Sequence, residues 1–108
     1  MVKLEFVYKA RDNTIDLILK ANGAAVDLSG VTKMDLIFPT AVIGSDQNPA
    51  VFDWSVGGGK LILALGGSLK DSNGTPVEFV GVYSPNLIVY DDANGAGIVW
   101  GFIKLKFC

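Results

Sequence analysis

The sequence predicts an all-β sandwich of seven or eight short strands, formed as a single domain over residues 1–108. Three observations carry that prediction. Apolar residues alternate with polar ones at a period of two along most of the chain. Gly, Asn and Pro breaks recur every 8–12 residues or so, the spacing of a sandwich or small barrel. No stretch repeats its apolar residues at the 3.6-residue period that a helix needs to bury one face. The architecture expected is an Ig-like antiparallel β-sandwich.

The elements follow in order. Val2-Lys3-Leu4-Glu5-Phe6-Val7-Tyr8 alternates, with Val2, Leu4, Phe6 and Tyr8 on one face, and reads as a strand. Arg11-Asp12-Asn13 makes a polar turn. The next strand, Asn13–Lys20, directs Ile15, Leu17 and Leu19 inward, and Asn22-Gly23 is the strongest short-range turn signal available. Ala24–Leu28 returns as a short edge segment before the break at Ser29-Gly30. Val31–Phe38 sets Met34, Leu36 and Phe38 against Lys33, Asp35 and Ile37, and Pro39 ends it because proline has no ladder donor. Thr40–Asn48 is a short apolar piece running into a loop. Ala50–Val56 and Lys60–Leu65 form two strands joined by Gly57-Gly58-Gly59, with Leu61, Leu63 and Leu65 on one side. Leu69–Thr75 is irregular, and Pro76–Val82 is either an edge strand or a loop packed on the sandwich end.

The last fifth of the chain organises the rest. Pro85–Tyr90 and Ile98–Phe107 flank the turn residues Asp91-Asp92-Ala93-Asn94-Gly95-Ala96-Gly97, the pattern of a β-hairpin with a long loop. Simple alternation places Val99, Ile103, Leu105 and Phe107 on one face. The opposite face holds Ile98, Trp100 and Phe102 before it changes to Lys104 and Lys106. Leu87 and Val89 likewise oppose Ile88 and Tyr90. A half-buried strand in a lone domain is polar on its outer face, and this hairpin is apolar on both faces near its loop. Ile88, Tyr90, Trp100 and Phe102 are therefore the expected interface residues, with β-strand addition at the Met1–Tyr8 edge as a second means of contact.

Composition points the same way. Half of the residues are hydrophobic and only 19% are charged, which either fills an unusually large core or leaves apolar surface for a partner. The net charge of −2 and the lack of any basic cluster argue against nucleic acid as a partner. No apolar run reaches the ~20 residues that cross a bilayer, and Met1–Tyr8 lacks the continuous apolar block of a signal peptide. A chain made in the cytoplasm, with no membrane contact, is the expectation. Cys108 is the single cysteine, so no internal disulfide is available.

Catalytic chemistry finds little support. The absence of histidine removes imidazole bases, His-based triads and most zinc sites. Asp46, Asp53, Asp91 and Asp92 could supply a carboxylate pair, but adjacent residues on an extended chain point to opposite faces. Gly57-Gly58-Gly59-Lys60 lacks both the spacing of a phosphate loop and a following helix. The Asp91–Gly95 turn offers oxygen ligands at a density that suits calcium, though no bidentate glutamate follows it. The expectation is a protein that is not an enzyme and needs no cofactor.

One resemblance extends this reading. The segment Arg11 to Val31, with its strand, its turn ending in glycine and its Val26-Asp27-Leu28-Ser29-Gly30 step into the next strand, resembles small β-sandwich virion proteins of tailed phages and prophages. It is similar to the N-terminal domain of siphophage baseplate upper proteins. Leu87-Ile88-Val89-Tyr90-Asp91 followed by Gly97-Ile98-Val99-Trp100-Gly101 resembles the closing hairpin of such modules. The resemblance implies a structural phage virion component, tail- or baseplate-associated, assembled in the host cytoplasm. Its implied partners are other virion proteins, as a homo-oligomer or within a larger assembly. A capsid decoration protein is the structural alternative. A carbohydrate-binding module of an adsorption apparatus, stacking sugars on Trp54 or Trp100, is the alternative of another class.

Overall fold

A computed structural model describes residues 4–8, 14–21, 23–55, 57–93 and 95–108. The expected turn at Arg11-Asp12-Asn13, the Val2 end of the first strand, Asn22, Val56 and Asn94 lie outside the described residues. The described chain is all-β and contains no helix. Its strands are β1 (Leu4–Val7), β2 (Ile15–Ile18), β3 (Lys20–Ala21), β4 (Ala24–Ala25), β5 (Val31–Ile37), β6 (Val42–Gly44) and β7 (Phe52–Asp53). They continue with β8 (Lys60–Leu63), β9 (Leu69–Lys70), β10 (Pro76–Val77), β11 (Gly81–Tyr83), β12 (Asn86–Asp91), β13 (Ile98–Phe102) and β14 (Lys104–Phe107).

Three sheets surround one core. The largest has the order β13-β12-β5-β6, the others β1-β14-β11 and β2-β8-β7, and two-stranded ladders β3-β4 and β9-β10 lie beside them. Alternation works as expected on most strands: Met34, Leu36 and Phe38 are buried, as are Ile15 and Leu19, Leu61, Leu63 and Leu65, and Leu87 and Val89. Phe38, Phe79, Tyr83 and Phe107 form an aromatic cluster in this sandwich-like core, with Phe38 and Phe79 stacked at 4.1 Å between centroids.

Among the described residues the strands run as fourteen short segments, because several continuous apolar runs leave their ladders midway. Leu19 divides the Asn13–Lys20 run. Its N–H donates to the Gly59 carbonyl (2.8 Å) and its carbonyl accepts from the Val26 N–H (2.9 Å). The Ile98–Phe107 run divides at Ile103, whose N–H donates to the Pro85 carbonyl at 3.1 Å. Proline has no N–H to return the bond.

That break conceals a continuity that positions everything on this side of the molecule. Gly81 lies opposite Phe107 and Tyr83 opposite Leu105. In the same register, Asn86 lies opposite Phe102 and Leu87 opposite Gly101. β11 and β12 are thus one arm of a single long hairpin, and β14 and β13 are the other. β5 pairs with the loop end of this hairpin and β1 with its open end. The β1–β14 pairing is parallel, whereas the other pairings are antiparallel.

Candidate functional site

Residues directly opposite one another in a ladder point to the same face. Along the hairpin, the rows facing away from the core are Asn86 with Phe102, and Ile88 with Val99, near the loop. β5 extends those rows with Ile37 beside Asn86, Asp35 beside Ile88 and Lys33 beside Tyr90. At the open end Val82 lies opposite Lys106, which lies beside Phe6 of β1. Phe6 and Tyr8 are stacked at 6.4 Å, and the Lys106 ammonium sits over the Phe6 ring at 5.9 Å.

This outer face gathers exposed apolar side chains. Val99 is 66% exposed, Val82 54% and Phe102 51%, and Phe6 and Tyr8 are comparably open. By contrast, the outer face of β2-β8-β7 carries the ion pair Lys60–Asp16 at 3.3 Å, with Ile18 as its exposed large apolar residue.

The four expected interface residues do not all occupy equivalent places. Phe102 is exposed on the outer face, and Ile88 and Tyr90 are half-buried in the same face. Trp100 is not one of the outward rungs. The register steps from Leu87–Gly101 to Ile88–Val99, so Trp100 is the extra residue of a β-bulge. It packs, partly buried, against the core, and Val99 takes the outward place that alternation assigns to Trp100. Gly101, with φ of 145°, supplies a backbone angle that other residues rarely adopt. A glycine inside an apolar strand is itself a bulge signal, though it does not say which neighbour the bulge turns outward.

Phe6 and Tyr8 depart from expectation more sharply. In β1 Val7 is buried, and Phe6 and the following Tyr8 point outward. The parallel register causes this: it places Val7 beside buried Phe107 and Phe6 beside Lys106. Alternation groups Val2, Leu4, Phe6 and Tyr8 against Lys3, Glu5 and Lys9, and the long-range pairing with β14 overrides that pattern.

Within the apolar face lies one buried polar cluster. Asp35 is only 4% exposed although it belongs to an outward row. The Tyr90 hydroxyl donates to its Oδ2 at 2.9 Å, and the Lys33 ammonium lies 3.5 Å from Oδ1 without hydrogen-bond geometry. Lys33 also approaches Asp46 at 3.9 Å and the Tyr90 ring at 5.3 Å. Gly44 makes room for the cluster, since a Cβ there would fall 2.5 Å from Asp35 Oδ1 and 2.6 Å from Asp46 Oδ1.

Desolvation, first, and then the hydrogen bond and charge of Asp35 raise the Tyr90 hydroxyl above the ordinary tyrosine pKa. Because the folded-state value is raised, this contribution to stability is fully present below about pH 10, where unfolded tyrosine ionises, and is lost as pH rises through the folded value. Tyr90→Phe is expected to cost about 1 kcal/mol at neutral pH through loss of the bond to Asp35. The same substitution should flatten the alkaline decline in stability. Denaturant midpoints from neutral pH to above pH 10 check this, and an unchanged alkaline slope in the variant would contradict it.

Two shallow grooves flank half-buried Trp54. One is lined by Thr32, Lys33, Ser45, Asp46 and Phe52, the other by Val26, Asp27, Ser29, Ser55 and Gly57. In the second, the Ser55 hydroxyl donates to Asp53 at 2.6 Å, which lowers the pKa of that carboxyl. Among the described residues, no group of three or more His, Cys, Asp or Glu side chains is placed to hold a metal ion. No helix among them is long and apolar enough to cross a membrane.

Comparison with known proteins finds no matching family model, no matching curated protein and no matching solved structure.

Proposed function

We propose that this protein is a structural component of a tailed-phage virion, tail- or baseplate-associated, that assembles by burying the outer face of its long hairpin against neighbouring protein. The observation that supports this reading is the placement of exposed Val82, Val99, Phe102, Phe6 and Tyr8 on one side of a domain that has a separate buried core. Contiguous apolar surface of a few hundred Å² on a small domain marks a contact site more often than bare surface. At about 25 cal/mol per Å², covering ~400 Å² of it releases ~10 kcal/mol of gross transfer free energy, against which the ordering costs of association are set. A capsid decoration role uses the same face in the same way.

The test is incorporation. Mass spectrometry of purified particles from a culture carrying the gene should find the chain. Phe102→Ser should be excluded from particles while the purified variant keeps its circular dichroism spectrum and loses no more than about 1 kcal/mol of stability. A chain absent from particles, or a variant incorporated like the parent, contradicts the proposal.

A carbohydrate-binding role has one observation in its favour. Trp54 stands between two grooves lined by hydroxyl and carboxylate side chains, the combination of a stacking surface with polar groups that sugar binding uses. Titration with oligosaccharides should then change tryptophan fluorescence in the parent and not in Trp54→Ala.

A further inference from the structure

We propose that the recess where the β9-β10 ladder opens binds a small hydrophobic cation, a primary ammonium carried on one aromatic or branched aliphatic group. The recess exists because a ladder stops early. β9 and β10 pair only through Lys70–Pro76 and Leu69–Val77. The same antiparallel register would next set Ser68 opposite Glu78 and Gly67 opposite Phe79, but these four residues lie outside any strand and the two chains part. Between them is a cavity of about 360 Å³, within the range of small-ligand sites. Leu65, Leu69 and Val77 line it, with the Phe79 and Phe107 rings, whose centroids are 5.3 Å apart. Gly66 and Gly67 bring no side chain to fill it, and a methyl at Gly67 would meet nothing within 4 Å. An enclosed apolar cavity of about 150 Å³ already admits benzene, so one ring and its substituent fit here.

Charge selects the ligand. Glu78 is the one charged residue that lines the recess, and it is exposed. Among the described residues no cation pairs with it. Lys70 and Lys106 adjoin lining residues in the chain, but neither lines the recess. Lys70 is exposed where its neighbour Leu69 is buried, and Lys106 lies over the Phe6 ring. The exposed Ser68 hydroxyl adds an acceptor from the other side of the opening. The two phenyl rings act in the same sense, because the face of an aromatic ring attracts a cation. A ligand with an apolar body and one ammonium therefore meets the cavity wall and the carboxylate together. A neutral ligand of the same shape leaves the carboxylate unmatched, and an anionic one is repelled by it.

The experiment is an NMR titration of the nitrogen-15-labelled chain with benzylamine, benzyl alcohol and benzoate, which share a shape and are cationic, neutral and anionic at neutral pH. Benzylamine should shift the amide signals of Gly66, Gly67, Ser68, Leu69 and Glu78 saturably, in the millimolar range expected of so small a ligand. Benzyl alcohol should bind more weakly, and benzoate most weakly of the three. Glu78→Gln should weaken benzylamine about two- to fivefold, the range of a single exposed charge pair, and leave benzyl alcohol unchanged. Glu78 is exposed and outside any strand, so the variant should keep the parent spectrum away from the recess. No saturable shift, shifts centred on other residues, equal binding of the three ligands, or a variant that binds benzylamine like the parent would each overturn the inference. None of these outcomes bears on incorporation into particles, which is tested separately through Phe102.

Discussion

Asn48→Ala is expected to destabilise the domain by about 3 kcal/mol, the largest loss from any polar substitution proposed for this chain. Asn48 is 5% exposed in the loop between β6 and β7. Its Nδ2 donates to the Gly44 carbonyl at 3.0 Å and to the Lys70 carbonyl at 2.7 Å, and its Oδ1 accepts from the Lys70 N–H at 2.8 Å. The side-chain amide thus imitates a strand rung, satisfying both backbone groups of Lys70 on β9 while holding that strand to the end of β6. Each neutral hydrogen bond is worth about 1 kcal/mol net, and a buried group left without a partner costs about 1–3 kcal/mol. For a domain of this size the thermal midpoint should fall by roughly 10–15 °C. Asn48→Asp should be no better, because it keeps the acceptor and turns a carboxylate oxygen toward two carbonyls. A loss under about 1 kcal/mol in a denaturant titration would show that water replaces the amide, and the assigned role would fail.

Gly59→Ala should cost about 2–4 kcal/mol for a different reason. Gly59 has φ of +72°, where a Cβ adds about 1–2 kcal/mol of steric strain. That Cβ would also fall 2.8 Å from the Leu19 carbonyl oxygen and 3.0 Å from the Val26 nitrogen. Neither atom can yield easily, because the Leu19 carbonyl accepts from Val26 N–H and the Leu19 N–H donates to the Gly59 carbonyl. Gly57 serves as the internal control. It has φ of +93° and nothing within 4 Å of the point where a methyl would stand, so Gly57→Ala should carry only the strain, about 1–2 kcal/mol. Equal losses at the two positions would remove the crowding argument and leave only the backbone angle.

Much of the fold was legible because period-two alternation decides a face wherever only one parity is apolar. Met34, Leu36 and Phe38 face Lys33 and Asp35 in this way, and the core takes the apolar set. Legibility fails where both parities are apolar, as in β13, and where a long-range pairing overrides a clear pattern, as in β1. In β1 the parallel register with β14 selected Val7 for the core and turned Phe6 and Tyr8 outward, a choice made by a strand far away in sequence. In β13 a one-residue bulge exchanged Trp100 for Val99 on the outer face. The glycine at position 101 announced a bulge without giving its register. Asp35 is a third case. Alternation assigns it outward, and it does lie in an outward row, but Tyr90, Lys33 and the missing side chain of Gly44 enclose it. Of the candidate site, the sequence pointed to the hairpin and to Phe102, Ile88 and Tyr90. The extension through Val82, Phe6 and Tyr8 needed the pairing of β1 and β11 with β14.

The parallel ladder between β1 and β14 also bears on how the chain comes to be folded. Leu4 lies opposite Lys104 and Val7 opposite Phe107, so this sheet joins the first described strand to the last. During synthesis, residues 4–7 therefore wait for a partner until residues 104–107 have left the ribosome. Contacts of such long sequence separation form slowly, because the closure entropy is lost before they contribute. Until that moment Val7 and the unpaired backbone of β1 are exposed to neighbouring nascent chains. Refolding kinetics should accordingly be those of a slow, high-contact-order domain, with closure of this ladder among the late events.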